Sequence, residues 1–361
     1  MKELSTSTPG RVCLFGEHQD YLSLPIIAAA ISLRIGISGR RRDDSNVIIH
    51  LPDINDEESF PADKPIVYDK ERDYLKSVLN VLKRHGLTFS KGVECVVKGE
   101  IPINAGTSSS SALIVTWVNF LARMSDQGVD LSAEDIAQYA YEAEVLEFSE
   151  PGGMMDQYST SMGGIIFLNP FPEIKVTRLN PKLGNLVLGN SGEPKDTKFI
   201  LARVKNQILR VVAELRKAHP EFSLQTISEP GVDEYAAFLT AEQVELLHGT
   251  VRNRDITYQA LKALTDRELD HRLIGKLMNE HQDALRDILK ISTPKIDRMI
   301  SAALKAGAYG AKINGSGGGG CMFAYAPEDP RKVKAAIEKE GGEAYVLTVD
   351  EGTRAVLSEA N

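Results

Sequence analysis

Residues 101–121 read IPINAGTSSSSALIVTWVNFL, and the two halves of that stretch have opposite chemistry. Pro102 to Ser111 holds small residues, hydroxyls and Gly106, with little bulk; from Ala112 onward the run is nearly all apolar and long enough for a buried helix. A small-residue loop that runs straight into a helix presents several unpaired N–H groups and the positive end of the helix dipole. Such an end receives a polyphosphate without steric obstruction. The hydroxyls of Ser108 to Ser111 add donors, and one of them can ligate Mg²⁺. The plainer reading is a serine-capped core helix behind a flexible loop, since short Gly/Ser motifs recur by chance.

Three other stretches bear on that choice. Gly315 to Gly320 places five glycines in six positions between two strand-like runs. Glycine there costs conformational entropy, and such a loop is tolerated where another backbone or a ligand approaches closely. Packing against the 101–111 loop is therefore expected. Near the start, the apolar runs Val12–Phe15 and Ile26–Leu33 flank Gly16 and the polar cluster Glu17, His18, Gln19 and Asp20, with Arg11 six residues before Glu17. A solvated turn is the bland account of that cluster. Beyond Arg34 the sequence alternates into a basic knot, which predicts a hairpin. Further on, Ser132-x-x-Asp135 starts a helix expected to reach about Phe148, carrying Glu142, Glu144 and Glu147. Pro151-Gly152-Gly153 breaks it, and Met154-Met155-Asp156-Gln157 opens a short helix in which Asp156 has helix capping as its ordinary role.

Elsewhere the pattern is mixed. Helices are expected over 69–86, 197–217, 273–289, 294–306 and 330–339, and strands over 92–99, 163–168, 175–179, 186–188, 312–313, 321–326 and 344–349. The 361-residue length fits two domains or one large one, and 42% hydrophobic with 25% charged residues is ordinary for a globular protein. A net charge of −8 without a long basic run argues against nucleic acid and anionic membranes. Cys13, Cys95 and Cys321 are isolated, which excludes a disulfide framework or zinc cluster. The opening MKELSTSTPG lacks a signal-peptide core, and the uncharged run 101–122 has too few apolar residues to span a bilayer. A cytoplasmic location is the expectation.

Together, PGRVCLFGEHQDY, PINAGTSSSSA and KINGSGGGGC resemble, in order and spacing, the three motifs of the GHMP kinases. Among them the galactokinases are nearest: Glu17, His18, Asp20 and Tyr21 match their Glu-His-x-Asp-Tyr signature, whereas mevalonate kinases match only as far as the Glu-His. The resemblance implies an α+β fold of two domains, an N-terminal ribosomal S5 domain 2-like unit (1–190) and a C-terminal ferredoxin-like unit (191–361), with the active site between them. It implies an ATP- and Mg²⁺-dependent kinase acting on a sugar hydroxyl, expected at the anomeric carbon, as a monomer or small homo-oligomer. Sugar-acid, heptose and mevalonate-type kinases and a non-catalytic sugar sensor are the alternatives.

The resemblance also assigns roles. Asn104, Ala105, Gly106, Thr107, Ser108, Ser109, Ser110 and Ser111 would cradle the nucleotide phosphates. Ser109 or Ser110 with Glu144 would hold Mg²⁺. Asp156 would accept or orient the substrate proton opposite Arg11. Glu17, His18, Asp20 and Gly153 would meet the sugar. Departures fall mostly on the sugar side: Leu22-Ser23-Leu24 replaces Asn-x-Gly, and Phe199, followed by Arg203, is the nearest stand-in for a sugar-facing tyrosine. Cys13 stands where the first motif has asparagine. Cys13 and Cys321 are expected in the core.

Overall fold

The computed structural model describes residues 2–103 and 105–359. Five strands open the chain: β1 (Lys2–Phe15), β2 (Ile26–Arg41), β3 (Asn46–Leu51), β4 (Asp56–Pro61) and β5 (Val93–Gly99). With β6 (Ile165–Asn169) and β7 (Lys175–Leu179) they form most of one sheet, whose main path runs β1-β2-β5-β3-β4. The hairpin expected after Arg34 is absent. β2 continues to Arg41 against β5, and β3 lies on the far side of β5. The basic knot is tied to its neighbours instead of turning: Arg41 donates to the Met124 carbonyl at 3.0 Å, and Arg42 bridges Asp44 and Glu94.

Four helices pack beside this sheet: α1 (Tyr74–Arg84), α2 (Ser109–Met124), α3 (Ala133–Tyr141) and α4 (Met155–Met162). The apolar half of the opening stretch is the spine of the largest core cluster. Ile114, Val115, Trp117, Val118 and Phe120 of α2 are fully buried against α1 and strands β2, β3 and β5. Ser132 caps α3, its hydroxyl accepting from Asp135 N–H at 3.0 Å, as its spacing predicts. The helix does not run on unchanged to Phe148; at Glu142–Leu146 it widens into a π-helical turn and ends.

The second sheet contains β8 (Leu186–Asn190), β9 (Gly310–Ile313), β10 (Cys321–Tyr325) and β11 (Glu343–Leu347) in the order β11-β8-β10-β9, all neighbours antiparallel. That order, with α5 (Thr197–Ala218), α6 (Ala241–Thr265), α7 (His271–Asp283) and α8 (Pro294–Lys305) in the first crossover and α9 (Pro330–Lys339) in the second, is an elaborated ferredoxin-like β-α-β-β-α-β. The expected cut near residue 190 falls at the end of β8, a strand of this second sheet. After β11 the chain returns to the first sheet as β12 (Arg354–Glu359), antiparallel to Lys2–Ser7 of β1.

Two-residue periodicity decides which face goes where. Val12, Leu14, Ile27, Ala29 and Ile31 of the first sheet meet Leu186, Leu188, Cys321, Phe323 and Tyr325 of the second in one cluster, with α6 and α7 closing it. Cys13, Ile26 and Ala28 point the other way, onto α4. Met322 and Ala324 face α8 and α9. The second sheet is thus covered on both sides and the first is so along β1 and β2, while one face of β3, β4 and β5 is open to solvent; the Gly106 and Gly315 loops meet beyond the strand ends.

Candidate active site

Arg11 and Cys13 share a face of β1, so Arg11 reaches toward α4 and the loop before α2. Its Nε and one terminal nitrogen donate to Asp156 Oδ1 at 2.8 and 2.7 Å, and the other donates to the Gly106 carbonyl at 2.6 Å. Asp156, in the first turn of α4, is not that helix's cap: the N-cap is Met154, and the terminus is satisfied from outside by Asp20, whose Oδ2 accepts from Met155 N–H at 2.9 Å. A Cβ on Gly153 would lie 2.0 Å from the same Asp20 oxygen, so the Gly-Gly break lets the carboxylate lie against the backbone. Burial raises the Asp20 carboxyl to about 6, with Asp156 adding to the rise.

Glu144 sits in the π turn, whose extra residue rotates it toward the start of α2; such turns recur at functional sites. The hydroxyl of Ser77 donates to the Ala143 carbonyl at 2.8 Å and steadies that turn. Glu144 accepts from Ser110 Oγ at 2.9 Å and Gln157 Nε2 at 2.6 Å. Burial pushes its carboxyl up to about 7 against the pull of those hydrogen bonds, and none of the described ion pairs supplies it a cation. A cation at Glu144 and Ser110 would remove that penalty, and the donor set, hard oxygens beside the N-terminus of α2, suits Mg²⁺. No group of three or more His, Cys, Asp or Glu that could hold a metal occurs among the described residues; Mg²⁺ needs none, since it binds through one or two carboxylates plus phosphates and water.

The loop itself is set for an anion. Ser108 occupies the N-cap in the left-handed region (φ 61°) without a side-chain capping bond, so the serine-capped reading of this helix does not hold. The hydroxyls of Thr107 and Ser108 are buried without a partner among the described residues. Ala105, Gly106, Thr107, Ser108, Ser109, Ser110 and Ser111 lie together here; Asn104 lies outside the described residues. The expected packing of the two glycine-bearing loops is present: Cys321 N–H donates to the Ala105 carbonyl at 2.7 Å, and a Cβ on Gly315 would lie 2.7 Å from the Gly106 oxygen.

The polar cluster after Gly16 is buried, not a solvated turn. Glu17 spends both oxygens inside the protein, on Lys312 Nζ at 2.7 Å and Gly315 N–H at 2.9 Å. His18 uses both ring nitrogens, on Ser316 O at 3.0 Å and Tyr21 OH at 2.7 Å. Burial lowers its pKa to about 4, so it is neutral: Nε2–H donates to the carbonyl and Nδ1 accepts from Tyr21. All four residues expected at a sugar, Glu17, His18, Asp20 and Gly153, line the cleft with Asp156, and the polar atoms of Glu17 and His18 are also hydrogen-bonded within the protein. Phe199 is 64% exposed and not among the cleft residues, and Arg203 turns to the carbonyls of Leu289 and Lys290. Cys13 and Cys321 are fully buried.

Lys195 is the cleft residue that sequence reasoning missed. Its Nζ donates to Ser316 Oγ at 3.0 Å, and a Cβ on Gly106 would lie 2.8 Å from that nitrogen. Burial, then Arg11, lowers its pKa to about 8. The only signal was a lysine in the turn-prone NSGEPKD immediately before α5. Gln157, Thr197 and Ser316 line the cleft as well.

The chain matches the galactokinase galactose-binding signature over residues 2–41, the GHMP kinases N terminal domain over 73–164 and the GHMP kinases C terminal family over 260–343. It is 29% identical over 364 residues to a mevalonate kinase of Thermococcus sibiricus, covering 96% of this chain and 97% of that one. It is 28% identical over 371 residues to a galactokinase of Mannheimia succiniciproducens, covering 97% and 94%. The fold matches that of Lactococcus lactis galactokinase, solved with galactose, at a TM-score of 0.87 over 98% of this chain and 95% of that one, with 22% identity. Three family matches spread from the first strand to the last sheet, and a phosphate loop joined to Arg11, Asp156 and the glycine turn, lead to one conclusion: the chain belongs to the GHMP kinase superfamily of ATP-dependent kinases.

Proposed function

We propose that this kinase phosphorylates a free sugar, at the anomeric hydroxyl, in the manner of a galactokinase. The observation that carries the reading is the pair of carboxylates at the start of α4. Asp156 faces the cleft with one oxygen held by Arg11, and Asp20, absent from the mevalonate-type motif, lies buried against Gly153 beside it. The match to the galactose-binding signature over residues 2–41 supports it.

In this reading Asp156 accepts or orients the proton of the attacking hydroxyl. Phosphoryl transfer otherwise needs positioning and charge compensation. The backbone from Ala105 to Ser111 receives the phosphates, with Arg11 and Lys195 as cations at their edge. Glu144 with Ser110, or with neighbouring Ser109, holds Mg²⁺, which when bound neutralises phosphate charge. Asp20 and Gly153 bound the sugar with Glu17 and His18, which line the same cleft and also hold the glycine turn in place.

A mevalonate-type acceptor is the second reading. Mevalonate kinases match at the same level of identity, and the internal commitment of Glu17 and His18 leaves fewer polar groups for a polyol. ATP turnover compared across galactose, glucose, fucose, arabinose, galacturonate and mevalonate separates the two. The sugar reading expects a polyhydroxylated pyranose to be the best acceptor and mevalonate a poor one. With Leu22–Leu24 and no tyrosine at Phe199, discrimination among the pyranoses is expected to be looser than a strict galactose preference. Turnover with mevalonate alone would overturn the reading.

A further inference from the structure

Every backbone unit of an anion cradle carries a carbonyl as well as an N–H, and a carbonyl turned inward repels phosphate as strongly as an N–H attracts it. In this chain three successive carbonyls of the loop are drawn away. The Ala105 oxygen accepts from Cys321 N–H at 2.7 Å. The Gly106 oxygen accepts from Arg11 at 2.6 Å and from Asn314 Nδ2 at 2.9 Å. The Thr107 oxygen accepts from Arg11 N–H at 3.2 Å. Each also rests where a side chain is missing: a Cβ on Gly320, Gly315 or Gly10 would lie 2.6, 2.7 or 2.8 Å from those three oxygens respectively. Among the described residues, the N–H groups from Gly106 to Ser111 make no hydrogen bond within the protein.

Asn314 is the hub of this arrangement. It is fully buried, its Oδ1 accepts from Cys13 N–H at 2.9 Å, and its Nδ2 holds the Gly106 carbonyl. One amide thus spans β1, the phosphate loop and the turn after β9. We propose that Asn314 is a positioning residue for nucleotide binding: it fixes the polarity of the cradle by holding the Gly106 carbonyl out of it. Gly10, Gly315 and Gly320 provide the space into which the carbonyls retract. The inference rests on the ATP-dependent kinase reading and is independent of which acceptor is phosphorylated.

The test is binding of ATP and of adenosine, measured calorimetrically without any acceptor, to the full chain and to Asn314→Asp, Asn314→Ser and Gly10→Ala. Asp keeps the acceptor for Cys13 N–H but replaces the donor to Gly106 with an oxygen. Ser is too short to span both partners, and the Cβ of Gly10→Ala displaces the Thr107 carbonyl without touching Asn314. The expected result is that ATP affinity falls about tenfold or more in Asn314→Asp, the scale of a lost buried hydrogen bond plus repulsion. Adenosine, which has no phosphate, should bind within about twofold of wild type, and melting temperature serves as the folding control. Gly10→Ala should show the same selective loss if Asn314→Asp fails to fold. Equal weakening of ATP and adenosine, or unchanged ATP affinity in a folded Asn314 variant, would overturn the proposal. A wild-type chain that bound ATP but phosphorylated none of the sugars would refute the acceptor reading and leave this one standing.

Discussion

Arg11, Asp156 and Lys195 show how single side chains divide the work of the cleft. Because Arg11 grips only Oδ1 of Asp156, with both of its bonds below 3 Å, an amide oxygen can keep the same grip. Asp156→Asn is therefore expected to preserve the fold and nucleotide affinity while lowering kcat roughly 10²-fold or more, the usual loss for a positioned base. Steady-state kinetics with calorimetry checks this, and kcat near the wild-type value would reduce Asp156 to a structural tie. Lys195 adds a pH signature. Its ammonium is lowered to about 8, so it is charged below that pH and neutral above it. Above about pH 7.5, past the range in which the Glu144 carboxyl ionises near 7, ATP binding should weaken as pH rises through about 8, where the Lys195 cation is lost. In Lys195→Arg the guanidinium stays charged and that decline should vanish; a decline of the same size in the variant would assign it to another group.

Between elements, the decisive contact is the ion pair of Lys312 on β9 with Glu17 after β1. Their side chains are 0% and 2% exposed, and Lys312 also donates to the carbonyls of Cys13 and Ile313, both at 2.9 Å, so all three of its protons are used. Such a pair adds little net stability over an apolar replacement, but breaking one half strands a buried charge. Lys312→Met should cost about 3–5 kcal/mol. Adding Glu17→Gln to it should restore part of the loss, a coupling that chemical denaturation of the single and double variants measures. A cost below about 1 kcal/mol for Lys312→Met would show that the pair does not hold the two loops together.

At the scale of the molecule, the last strand closes over the first. β12 covers the Lys2–Ser7 edge of β1, and Thr353 Oγ1 accepts from Thr8 at 2.9 Å and from Asn119 of α2 at 3.0 Å. The strand that carries Arg11 and the helix that ends the phosphate loop are thus both joined to the C-terminal segment. Ending the chain at Gly352 should lower the melting temperature by about 5 °C or more and leave an open β1 edge prone to pairing with another copy. Thermal melts and light scattering at rising concentration check both effects; an unchanged, monodisperse truncated chain would mean that β12 is an accessory.

Much of this was legible in the residues because it is local. The change from small hydroxyls to an apolar run at Ala112 marks the loop and buried helix α2, Ser132 marks the start of α3, and five glycines mark a close approach; each depends on neighbours in sequence. The family resemblance of three such stretches extended that to the two-domain fold. Partner choice was not legible. Nothing in the residues beside Glu17 and His18 pairs them with Lys312 and Ser316, and Lys195 looked like a turn residue yet reaches Ser316 beside Gly106. The continuation of β2 to Arg41, the π turn at Glu142–Leu146 and the return of β12 likewise rest on pairings remote in sequence. Periodicity and composition mark the apolar faces of helices and strands, because those follow from each residue's own polarity and its neighbours'; the burial of Glu17 to Asp20 does not follow from them. Which buried donor meets which acceptor depends on distances of a few ångströms between segments as far apart as Arg11 and Asp156, and those distances exist only once both sheets have packed.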